Sequence, residues 1–125
     1  MTIFGYARGE GQMLDEQRQR IVAYAELKGW PLPRILVDDA DPGLGSVEWR
    51  ERPAGAALFA EIAAGDAVVV ATMDRIFPEL ADVMSTIERL TADGIALCLL
   101  DLGGDVSGDR AAAVRAVAYA FMHKD

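Results

Sequence analysis

Ala67-Val68-Val69-Val70-Ala71 is an unbroken apolar run set between the turn pair Gly65-Asp66 and the polar stretch Thr72-Met73-Asp74-Arg75. Apolar residues at odd and even positions alike read as a strand covered on both faces, the pattern of a parallel sheet. The flanking sequence supplies the covers. Downstream, Glu79 to Asp93 places Leu80, Val83, Met84, Ile87 and Leu90 at helical spacing, with Gly94 as the stop. Ile95 to Leu100 follows as another apolar strand, and Asp109 to Met122 as an alanine-rich closing helix. Upstream, a helix from Pro53 to about Ala64 begins on proline, as first turns tolerate, and stops at Gly65. Before it come a strand at Thr2–Ala7, a helix at Met13–Lys28 ended by Gly29, and a strand at Arg34–Asp38. The order βαβαβαβα predicts a three-layer α/β fold. Its sheet is mostly parallel, of four strands with room for a fifth, with helices on both faces.

Composition narrows the function classes. The chain has 125 residues, one domain's length, and 12 basic against 20 acidic side chains give a net charge of −8. Such acidity argues against a stand-alone, nonspecific DNA binder, because duplex affinity rests on neutralised phosphates. With 52% hydrophobic and 26% charged residues the composition is that of a folded protein. The single cysteine, Cys98, excludes an intrachain disulfide and a cysteine-rich zinc site. No apolar stretch approaches the roughly 20 residues of a membrane span, and the N-terminus lacks the pattern of a signal peptide. The expected compartment is the cytoplasm, with no membrane association, no cofactor and no metal. The run Asp38-Asp39-Ala40-Asp41 lacks the spacing of a calcium loop and reads as a solvated acidic loop. His123, the sole histidine, has no partner for metal binding.

In parallel sheets functional groups gather at the carboxyl ends of the strands. Those ends are Tyr6-Ala7-Arg8, Asp38-Asp39, Met73-Asp74-Arg75 and Asp101-Leu102. The residues there, with their neighbours, resemble the catalytic domain of the serine recombinases, the resolvase and invertase family. Gly5-Tyr6-Ala7-Arg8 resembles its opening Tyr-x-Arg strand, Leu14-Asp15-Glu16-Gln17 its Leu-x-x-Gln helix start, and Arg52-Pro53 the start of its second helix. Gly65 to Ile76 resembles its Gly-Asp-strand-Asp-Arg segment. In that family a serine hydroxyl attacks a DNA phosphodiester, and arginines hold the phosphate. The arginine fork suits this, donating paired hydrogen bonds while staying charged. The resemblance implies Arg8, Arg52 and Arg75 as phosphate or anion ligands, Asp74 as an orienting carboxylate and Gln17 as a polar contact, beside the matched Tyr6.

The departures are equally specific. The nucleophilic serine of the family stands two residues after the first arginine, where this chain has Arg8-Gly9-Glu10. Glu10 therefore fills the slot, or the serine has gone with the two residues by which the loop to Gln17 is short. Glu10 beside Arg8 suggests an internal salt bridge that satisfies the former phosphate pocket. The remaining serines, Ser46, Ser85 and Ser107, carry no matching motif, and Pro78 stands where the family has a further arginine. The sequence runs to Asp125 and includes no DNA-binding module of the helix-turn-helix kind, so residues 1–125 read as a single resolvase-like catalytic-core domain. The expectation is a catalytically inactive relative, acting as an interaction or regulatory protein or persisting as a mobile-element remnant. The alternative is a DNA strand-exchange enzyme or an accessory subunit in recombination. Expected partners are a second copy in a homodimer, through the closing helix with Tyr119 and Phe121, or a recombinase-like protein in a hetero-oligomer. DNA binding by this chain alone is expected to be weak or absent. A receiver-like signalling domain fits less well, because Asp38 and Asp39 at the second strand do not form its pattern of acids after the first strand and an Asp after the third.

Overall fold

The structure, a computed structural model, describes residues 1–41, 43, 47–72 and 80–106, with the side chains of residues 80–83 left aside. Five strands form one sheet: β1 (Ile3–Arg8), β2 (Arg34–Asp38), β3 (Ala67–Val70), β4 (Ala96–Leu99) and β5 (Gly104–Asp105). Their order is β2-β1-β3-β4-β5, and every pairing is parallel except the last. The fifth strand is thus a two-residue antiparallel edge, formed where the chain turns back after a short 3-10 turn at Leu100–Leu102.

Strand periodicity sorts the core into two layers. Phe4 and Tyr6 of β1, Val68 and Val70 of β3, and Leu97 and Leu99 of β4 face one side. There they meet Leu58 of α2 (Pro53–Glu61) and Ile87 and Leu90 of α3 (Leu80–Ala92). Ile3, Ala7, Ala67, Val69 and Cys98 face the other side, against Ile21 of α1 (Gly11–Leu27). Helices on both faces of a mostly parallel sheet are what the apolar runs predicted. α1 begins two residues earlier than its periodicity suggested. α2 stops at Glu61 rather than near Ala64, because Ile62 turns extended, with φ −67° and ψ 144°. The closing helix expected at Asp109–Met122 lies outside the described residues. Among the described residues no helix is long and apolar enough to cross a membrane.

The start of α2 decides how the carboxyl edge is built. The first N–H groups of a helix have no partner inside it. Pro53 has none to satisfy, and the side chain of Arg52 does not cap the helix. Asp38, at the end of β2, does so from a distance: its carboxylate accepts from Ala54 N at 2.8 Å and Gly55 N at 3.0 Å. Another constraint acts at Gly55, where a Cβ would fall 1.8 Å from the Trp49 carbonyl oxygen. Glycine is therefore required for α2 to follow so closely on the 3-10 turn at Trp49–Glu51.

Candidate functional site at the carboxyl edge of the sheet

Tyr6, Asp38 and Arg52 converge beneath this edge. The Tyr6 hydroxyl donates to Asp38 Oδ2 at 2.6 Å, and all three residues are buried, Arg52 to 1% exposure. Arg52 Nε donates to the Val47 carbonyl at 3.1 Å, so its guanidinium is held partly by backbone. Burial pushes the Tyr6 phenol well above its usual range, and the hydrogen bond to Asp38 pushes the same way, with Arg52 opposing in part. The phenol is thus a neutral donor at ordinary pH. Trp49 closes the cluster, its ring centroid 5.2 Å from that of Tyr6 and 5.0 Å from that of Phe59.

Arg8 sits at the strand end opposite Asp38 in the sheet register. Its Nε donates to the Asp39 carbonyl at 3.2 Å and its Nη2 to the Asp41 carbonyl at 2.8 Å, drawing the loop after β2 over the edge. Gln17 is buried and grips the backbone of Arg8 from α1. Its Oε1 accepts from Arg8 N at 3.1 Å, and its Nε2 donates to Arg8 O at 2.8 Å and to Met13 O. The amide that the family resemblance implied as a polar contact is committed to fixing the strand end.

Glu10 stands between Gly9 (φ 147°) and Gly11 (φ 59°), both in the left-handed half of backbone space. It is the N-cap of α1, yet its side chain makes no capping bond and is exposed. The internal salt bridge expected with Arg8 is not formed. The ion pairs among the described residues are Arg20–Asp101, Arg34–Glu61 and Arg50–Glu48. Arg8 turns instead to the carbonyls beyond β2 because that loop is adjacent in the parallel register. Asp74 and Arg75 lie outside the described residues, as do Ser46, Pro78, Ser107 and His123.

Asp38 is the residue that sequence reasoning missed. The acidic run read as solvated begins with a side chain only 3% exposed. Its position carried a signal: Arg8 pairs with Asp38, so Asp38 shares the sheet face on which Tyr6 lies. A crevice of about 90 Å³ between α1 and the end of β3 is lined by Met13, Glu16, Gln17, Arg20 and Thr72.

The family model described as "Resolvase, N terminal domain" matches residues 3–123. The chain belongs to that family. Serine recombinases PinR and PinQ of Escherichia coli (strain K12) are each 32% identical to it over 105 residues, covering 82% of this chain and 50% of theirs. The chain therefore spans about half the length of the curated relatives it matches. A resolvase family site-specific recombinase from Streptococcus pneumoniae, known from its crystal structure, matches with a TM-score of 0.70. That likeness covers 99% of this chain and 89% of the other at 18% identity, which is a likeness of fold. The edge described above is accordingly the carboxyl edge of a resolvase-type domain.

Proposed function

We propose that this resolvase-type domain performs no strand exchange of its own and acts as a binding or regulatory member of the serine recombinase family. The observation that carries this reading is Glu10. The slot holds an exposed carboxylate between two glycines, and the neighbouring described residues offer no hydroxyl or thiol between Arg8 and Gln17. A carboxylate there repels a phosphodiester, and its attack on phosphorus, forming an acyl phosphate and expelling a deoxyribose oxygen, would have to overcome that repulsion. The burial of Arg52 and the commitment of Gln17 to backbone support the same reading, since both groups are used in holding the fold. The net charge of −8 adds a long-range repulsion toward DNA. In this role the partner is a second copy of the chain or a catalytically complete recombinase whose assembly the domain joins.

Incubation with supercoiled plasmid at low salt tests the proposal, because electrostatic attraction to DNA is strongest there. Unchanged supercoils are expected with the purified chain alone. Nicked, relaxed or recombined product would overturn the proposal. Relaxation that appears only when an active recombinase is added, and changes in rate with the amount of this chain, is the regulatory outcome.

A further inference from the structure

A pocket on the α2/α3 face of the sheet lies apart from the serine slot. It is lined by Glu48, Trp49 and Arg50 of the 3-10 turn region, Phe59 of α2, and Ser85, Thr86 and Arg89 of α3. Two arginines and the hydroxyl-bearing Ser85 and Thr86 line it beside the rings of Trp49 and Phe59, in a chain whose net charge is −8. Glu48 engages one of the arginines, accepting from Arg50 Nε at 3.3 Å. Only Nε is used, so the terminal nitrogens of Arg50 make no further bond among the described residues. Arg89 projects from the last turn of α3 and makes no side-chain hydrogen bond or ion pair among the described residues. One carboxylate against two arginines leaves the pocket net positive.

We propose that this pocket binds a small phosphate group, as inorganic phosphate or the phosphate of a monoester. Guanidinium forks and hydroxyls are the donors that match tetrahedral oxyanions, and arginine offers them without losing its charge. The size agrees: the cavity is about 60 Å³, far below the roughly 300–1,000 Å³ that enclose drug-sized ligands. A concave recess between a turn and two helices suits the tip of a small molecule better than the convex backbone of a duplex. The proposal is independent of whether the serine slot is inactive.

Trp49 lines the pocket and supplies the readout. Of the two tryptophans, Trp30 packs instead against Tyr24 beside α1, so Trp30→Phe isolates the Trp49 fluorescence. Titration of this variant with inorganic phosphate, against potassium chloride at matched ionic strength, is expected to give a saturable change. Arg89→Ala should weaken it by about tenfold or more, the loss of a charge-assisted hydrogen bond. Arg50→Ala should weaken it in the same direction. Phosphorus NMR of phosphate with the unsubstituted chain gives an independent reading, by line broadening, should Trp30→Phe perturb folding. No saturable change by either method overturns the proposal, as does a change that survives both arginine substitutions. An Arg89-dependent response to a short DNA duplex with none to free phosphate also overturns it, assigning the pocket to nucleic-acid backbone.

Discussion

Asp38 accepts hydrogen bonds from the Tyr6 hydroxyl and from the Ala54 and Gly55 amides, joining β1, β2 and the start of α2 through one carboxylate. Asp38→Ala strands three donors, two of them at a helix start, and should lower unfolding stability by about 3 kcal/mol in urea titration. Asp38→Asn keeps an acceptor and should cost clearly less; equal losses would show that the cap contributes nothing. The same cluster sets an alkaline limit. Tyr6 is favoured in its neutral form, so its folded-state pKa is raised, and its contribution is full below pH 10.0 and lost as pH rises beyond. Burial acts likewise on Tyr24, pushed up to about 12, and on Cys98, pushed up to about 11. Thermal unfolding followed from pH 8 upward should therefore weaken from about pH 9 onward, and Tyr6→Phe should make the decline shallower. A stability that rises over this range would contradict the burial of these groups.

The seven longer elements of the described chain were legible in the sequence because each is a short apolar run or an amphipathic repeat. β5 was not: Gly104–Asp105 carries no hydrophobic pattern and forms only because the chain folds back on β4. The buried carboxylate of Asp38 was hidden for a related reason. A charged residue in an acidic run looks solvated until the partner strand and the helix start that use it are placed beside it. Close approach between elements is equally invisible in composition, and two glycines illustrate its grades. At Gly5 a Cβ would come within 2.8 Å of Ile21 Cγ2, a side-chain atom of α1, whereas at Gly55 it would strike the Trp49 backbone carbonyl. Gly55→Ala should therefore destabilise the fold by about 3 kcal/mol, and Gly5→Ala by less, since side chains can shift where backbone cannot. Paired denaturation curves check the order. Gly5→Ala proving the costlier would mean that the α1 face is packed more rigidly than the turn before α2.

At the scale of the whole molecule, a resolvase-type domain has its five-stranded sheet with helices on both faces, and on the proposed reading Glu10 occupies the serine slot. Retention of the fold without strand-exchange chemistry, as proposed, is physically coherent. Arg52 and Gln17 are bound into the structure by Val47, Arg8 and Met13, so keeping them serves packing whether or not DNA is cut. The acidity fits the proposed role, in which a domain that meets proteins gains nothing from attracting phosphates. The most direct test of the proposed loss of the nucleophile is intact-mass spectrometry after incubation with supercoiled DNA and nuclease digestion. The account predicts an unmodified protein mass. A nucleotide adduct localised to any side chain would contradict it.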